Sequence, residues 1–188
     1  MKAAVLIIDM VRDNFREEKH LPLTKEAKAI IPNINHLLVE ARKRECPVIF
    51  ASDSFLEKDF IFKGKIKLHS IRGTQGAEVI SEISKGENDM YLIKRRFSAF
   101  YKTDLDQTLR TLDIDTIAVT GIATTFCVLS TVFDALSNDF RTVLIEDCSA
   151  CENRATHSKM LDIYRKNPLF PLFQVIKADE FIQVLDET

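Results

Sequence analysis

The 188-residue chain is poor in glycine, and none of Gly64, Gly73, Gly76, Gly86 and Gly121 falls into a G-x-G-x-x-G or Walker pattern. The phosphate-cradling loops of dinucleotide and nucleoside-triphosphate binders are therefore excluded. No G-x-S-x-G occurs either, which removes the nucleophile elbow of serine α/β hydrolases. Excess charge is also lacking: 26 Lys and Arg stand against 28 Asp and Glu, a formal net charge of -2. That balance leaves no electrostatic footprint for nucleic acid or an anionic membrane. The expected partner is a small, neutral or mildly charged molecule. Long apolar runs are missing too. The first, Ala3 to Ile8, is interrupted at Asp9 and no small-residue cleavage site follows, so neither a signal peptide nor a membrane span is predicted and a cytoplasmic location is expected. Four cysteines, Cys46, Cys127, Cys148 and Cys151, are too few for a disulfide scaffold and are expected to be thiols.

What is present reads as one α/β domain over residues 1–188, a length that fills one sizeable core. Continuous β-branched and apolar runs recur at Ala3 to Ile8, Val48 to Ala51, Met90 to Ile93, Thr116 to Thr120, Thr142 to Ile145 and Phe173 to Ile176. Runs without alternation are the pattern of strands buried on both faces of a parallel sheet. Between them lie amphipathic stretches. In Lys25 to Arg44, residues Ile30, Ile34, Leu37, Leu38 and Ala41 form one apolar stripe, with Thr24 as the expected N-cap and Pro32 as the expected kink or restart. Similar stripes occupy Asp104 to Leu112, Phe126 to Leu136 and Thr156 to Arg165. Strand and helix thus alternate, which predicts a doubly wound parallel sheet with helices on both faces. The Phe55 to Thr74 stretch breaks the alternation and reads as a long loop, the kind that often carries function.

In such sheets ligands bind beyond the carboxyl ends of the strands. The residues just past each run are Asp9, Asp53, Lys94 and Gly121 to Cys127, a set holding two acids, a cation and a thiol. A helix start, a nearby cation and an adjacent base each favour a reactive thiolate, and Cys127 could have all three. Taken singly, a cysteine on an apolar helix is more often a core residue and a strand-end Asp or Lys more often meets solvent. Their gathering on one predicted sheet edge is what points to a nucleophile, Cys127, with a base, Asp9, and an orienting cation, Lys94.

Four blocks, Ala4-Val-Leu-Ile-Ile-Asp9-Met10, Gly73-Thr-Gln-Gly76-Ala77-Glu78, Lys94-Arg-Arg-Phe97-Ser98-Ala99-Phe100 and Gly121-Ile-Ala-Thr124-Thr-Phe-Cys127-Val128, resemble in order and spacing the isochorismatase-like cysteine hydrolases. That family includes nicotinamidases and N-carbamoylsarcosine amidohydrolases. The resemblance covers most of the chain and implies a catalytic triad of Asp9, Lys94 and Cys127. It also implies a cis peptide at Ile122-Ala123 that turns the backbone NH groups of Ala123 and Cys127 toward one point. The activity implied is hydrolysis of a small-molecule amide or ureido C–N bond through a cysteine thioester. A pocket wall of Phe15, Phe97 and Phe100 goes with it, although Phe15 lies six residues after Asp9 where the family usually places an aromatic five after.

The chemistry so implied requires no cofactor. Nicotinamidases in addition bind a divalent metal, usually zinc, through an Asp-x-His and a further His. Asp53 and His69 match two of those positions, but the residue two after Asp53 is Phe55, which cannot coordinate metal. Glu57 or Asp59 could substitute. Relatives are commonly oligomers, so a homodimer or homotetramer is expected. From other classes, Cys148-Ser-Ala-Cys151 has the C-x-x-C spacing of thiol oxidoreductases, and a catalytically silent binding protein on the same fold is a further alternative.

Overall fold

A computed structural model of the chain describes residues 1–16 and 22–187. Six strands, β1 (Ala3–Ile8), β2 (Val48–Asp53), β3 (Met90–Lys94), β4 (Thr116–Ile122), β5 (Arg141–Ala150) and β6 (Phe173–Ile176), form one parallel sheet in the order β3-β2-β1-β4-β5-β6. Helices α1 (Pro22–Lys43) and α5 (Ala178–Asp186) cover one face. Helices α2 (Leu105–Thr111), α3 (Leu129–Ser137) and α4 (Arg154–Arg165) cover the other. All of β1 is buried: Ala3, Val5 and Ile7 face α1, while Ala4, Leu6 and Ile8 face the α2–α3 layer. Burial on both faces explains why the strand reads as an unbroken apolar run.

Two local expectations are corrected. Helix α1 begins at Pro22, and Thr24 is not its cap; the Thr24 hydroxyl donates to the Asn14 carbonyl at 2.8 Å. Nor does the helix restart at Pro32; it runs through the proline to Lys43. A proline inside a helix costs about 3 kcal/mol, whereas each buried Leu or Ile contributes roughly 1.5–3 kcal/mol. Ile30, Ile34, Leu37 and Leu38, all buried against the sheet, outweigh the break. Helix α5 is an addition to the elements expected from the sequence, although Ala178, Phe181 and Ile182 give the three-and-four spacing of a buried stripe.

The strand order reverses direction of growth between β1 and β4, which makes the crevice beyond these two strands the topological switch point. Gly121 sits there opposite Ile8, with φ +100, and a Cβ on it would lie 2.1 Å from the Ile8 carbonyl oxygen. Only glycine lets the two central strands approach this closely. Gly121→Ala is expected to lower stability by about 3 kcal/mol or more, read as a reduced urea midpoint; a midpoint equal to wild type would show that the contact relaxes freely.

Candidate active site

Parallel pairing brings every carboxyl strand end to one edge, and register decides which side chains meet. Asp53 of β2 pairs directly with Lys94 of β3. Alternation sets them on the same sheet face as Ile49, Ala51, Met90 and Leu92, the face on which Cys127 also packs. Asp9 would continue the opposite set, Ala3, Val5 and Ile7. It instead has φ +54, a left-handed turn that ends the alternation as the chain leaves β1.

The Lys94 ammonium, on a side chain only 1% exposed, donates to Asp9 Oδ2 at 2.7 Å, to Asp53 Oδ1 at 2.6 Å and to the Arg96 carbonyl at 3.2 Å. Its three protons are all used. The other Asp9 oxygen accepts the Asp53 backbone NH at 2.8 Å, so both oxygens of Asp9 are held. The Cys127 thiol lies beside Asp9. Its sulfur and a carboxylate oxygen from each of Asp9 and Asp53 lie within 4.8 Å of one another. One buried cation thus stands between two carboxylates, beside a buried thiol.

Burial first, then the charges of Asp9 and Asp53, push the Cys127 thiol well above its ordinary range despite the opposing charge of Lys94. These surroundings favour the thiol over the thiolate and give an adjacent base a proton to take. Burial works against the charge on Lys94, but Asp9 and Asp53 overcome it and hold the ammonium protonated. Asp53 is pushed up from 3.8 to about 7, by burial and then by Asp9, with Lys94 opposing.

A carboxyl group whose affinity for a proton is raised by folding stabilises the native state fully below its unfolded pKa, and that contribution is lost as pH rises through the folded value. For Asp53 the window runs from about 4 to about 7. Asp53→Asn keeps an oxygen for Lys94 and removes the titration. The variant is therefore expected to melt higher than wild type at pH 8, with the gap shrinking as pH falls toward 4. A gap of constant size in a pH series of thermal melts would contradict this assignment of charge.

The nucleophile candidate is carried on a turn built for close approach. The Ile122-Ala123 peptide is cis, and Thr124–Val128 form one wide π-helical turn before α3. The Ala123 carbonyl accepts the NH groups of Phe126 at 3.0 Å and Val128 at 3.3 Å. Buried Thr131 ties this turn to the loop after β3: its hydroxyl donates to the Cys127 carbonyl at 2.7 Å and accepts the Ala99 NH at 3.0 Å. The half-buried His157 ring meets the Thr124 hydroxyl at 3.0 Å. His157 matches a position of the resembled family but reads from the sequence as a structural helix-face histidine, and Thr131 does not stand out, because it belongs to no charge or metal pattern. The one available signal for Thr131 is its place one helical turn after Cys127.

The three aromatic candidates part company. Phe97 is 40% exposed, packs against Phe126 with ring centroids 5.8 Å apart, and lines a recess of about 460 Å³ with Phe60, Ile61, Lys63 and Arg96. Phe100 turns inward against Phe140 at 5.9 Å and belongs to the core on the α2–α3 side. Phe15 packs on the opposite side with the α1 core. Phe126, beside Cys127 and exposed, carries no mark in the sequence that separates it from a core ring.

A zinc centre on Asp53 and His69 does not fit the donors present. Asp53 has one oxygen committed to Lys94, and the intervening Phe55 is buried and apolar. His69 Nδ1 is bonded to the Lys67 carbonyl at 2.9 Å, which leaves one ring nitrogen. Asp59 cannot substitute, because its oxygens bind the Leu56 NH and the Arg95 guanidinium, with Arg96 nearby; Glu57 is exposed. Two donors fall short of the three protein ligands of a catalytic zinc. Among the described residues the group with three candidate donors is Asp9, Asp53 and Cys127. A dication there would stand against the Lys94 ammonium, a repulsion of roughly 8 kcal/mol at ~4 Å and an effective dielectric of ~20.

Cys148 and Cys151 are buried free thiols, and burial raises both. Cys148 ends inside β5 against the α1 core, and the Cys151 thiol donates to the Asn153 carbonyl at 3.3 Å. A redox C-x-x-C needs an accessible thiol with a lowered pKa, so these features favour a structural part.

A doubly wound sheet with a carboxylate, an ammonium and a thiol gathered at its switch point defines a hydrolase-type α/β site. The chain belongs to the isochorismatase family of hydrolases: the Isochorismatase domain matches residues 3–171. An Arabidopsis thaliana protein named a probable inactive nicotinamidase is 33% identical over 165 residues, covering 82% of this chain and 84% of its own length. The crystal structure of an isochorismatase-like hydrolase from Alkaliphilus metalliredigens superposes with a TM-score of 0.87 at 31% identity, over 98% of this chain and 99% of the other. That of the N-carbamoylsarcosine amidase from Thermoplasma acidophilum gives 0.80 at 30% identity, over 95% and 98%. Among the described residues no helix is long and apolar enough to cross a membrane.

Proposed function

We propose that the protein is a cysteine-dependent amidohydrolase that cleaves a small amide or ureido C–N bond. The observation that carries this reading is the Lys94 ammonium fixing Asp9 beside the buried Cys127 thiol. Asp9 takes the thiol proton as sulfur attacks the carbonyl carbon, and Lys94 keeps the carboxylate oriented. The tetrahedral oxyanion is received by the backbone NH groups of Ala123 and Cys127. Asp9 returns the proton to the nitrogen, the C–N bond breaks, and ammonia or an amine leaves a thioester on Cys127. Water, deprotonated by Asp9, then hydrolyses the thioester; the thiolate regains its proton and the acid departs. Burial, which raises the thiol, is consistent with this order, since an adjacent base is what such a nucleophile needs.

The names of the relatives suggest nicotinamide and N-carbamoylsarcosine as two substrates to try. The recess beside Phe97 suits a molecule of that size. Ammonia release from nicotinamide and from N-carbamoylsarcosine, assayed side by side with and without chelator, tests the reading. Chelator-insensitive turnover of one of them is expected. The Arabidopsis relative named inactive keeps open a silent binding protein; saturable binding of both compounds without any ammonia would favour that instead.

A further inference from the structure

We propose that this chain has an aromatic cluster where the fold's metal centre would be, and that His69 is a packing residue of that cluster and not a ligand. The proposal concerns the wall of the site described above, but its support does not depend on turnover. Phe55 is 1% exposed and meets the His69 ring edge-on at 5.3 Å and the Phe62 ring at 5.4 Å. Phe62 meets His69 at 5.7 Å, also edge-on. The three rings close a triangle of T-shaped contacts, the geometry that aromatic quadrupoles favour.

The backbone shows what the triangle holds. The Phe55 NH donates to the Ser70 carbonyl at 2.9 Å, and the Phe55 carbonyl accepts the Arg72 NH at 2.8 Å. The segment after His69 is thereby stitched to the segment after β2 as a short parallel bridge. Ser70, in the left-handed region at φ +47, is fixed from the other side by the Asp13 carboxylate, which accepts its NH at 2.6 Å. Phe62 belongs to the short helical turn Phe60–Lys63, whose Phe60 and Ile61 form one wall of the recess beside Phe97. A metal in this place would clamp the same loops through coordination. Ring packing does it here, with no cation to lose.

Zinc titrations by calorimetry and thermal melts of wild type, His69→Phe and His69→Ala test the proposal. His69→Phe removes every ligand atom yet keeps a ring; His69→Ala removes both. Expected are no stoichiometric zinc binding by wild type, a melting temperature for His69→Phe near wild type, and a fall of about 3–8 °C for His69→Ala. One tightly bound equivalent of zinc that both variants lose would overturn the proposal, as would equal destabilisation by the two substitutions. Because neither readout is activity, the cluster is tested even in a protein that hydrolyses nothing. Failure of the zinc result likewise leaves the cysteine chemistry standing.

Discussion

Cys127→Ala is expected to lower turnover by about four orders of magnitude or more, the scale on which removal of a covalent nucleophile acts. Its melting temperature should shift by no more than roughly 3 °C, because one sulfur is lost from an otherwise intact turn. The reason for so large a loss is specific. Without sulfur no thioester forms, and the charges around Asp9 have nothing to activate. A variant that keeps wild-type kcat on nicotinamide or N-carbamoylsarcosine would leave Cys127 a core thiol.

Lys94→Met should have the largest effect on stability. The ammonium is buried, gives all three protons, and separates two carboxylates that are themselves buried. Deleting one partner from such an arrangement costs about 3–5 kcal/mol, because the remaining charges stay behind without compensation. At this chain length that corresponds to a fall of roughly 6–20 °C in melting temperature. Adding Asp53→Asn should recover part of the fall at pH 8 and less as pH is lowered, since Asp53 carries less charge there. Recovery measured in the double variant separates charge from shape. If Asp53→Asn deepens the loss instead, the cost lies in packing of the lysine stem. Activity should stay low in both variants, as Asp9 has lost the group that orients it.

These two substitutions draw on parts of the molecule that differ in how openly the sequence displays them. Strand ends are legible because burial on both sheet faces writes an unbroken apolar run, and parallel pairing then carries Asp9, Asp53 and Lys94 to one edge whatever the loops do. The boundaries of β1 and β6 agree with their apolar runs residue for residue, while β5 continues past its run to Ala150 through Glu146 and Asp147. Side-chain partnership is less legible. Asp53 reads as a metal ligand because it matches a position that the resembled nicotinamidases use for one, yet the register sets it opposite Lys94, where it serves as a second counter-ion. Register is a property of two strands together and is not written in either.

The surroundings of Cys127 are only partly legible for a similar reason. A cation and a helix start are visible in the sequence, but the depth of burial and the second carboxylate, which raise the thiol, belong to the folded neighbourhood. Phe100 and Phe97, three residues apart, cannot be sorted between core and recess without the turn that separates them. Thr131 joins two loops through one hydroxyl and belongs to no motif.

The most direct test of the cysteine chemistry is mass spectrometry of the protein acid-quenched during turnover of N-carbamoylsarcosine or nicotinamide, followed by peptide mapping. The expected result is an adduct of the acyl mass on the peptide that contains Cys127, absent from Cys127→Ala. Ammonia release at the wild-type rate from Cys127→Ala, with no adduct on any cysteine of the native chain, would contradict it.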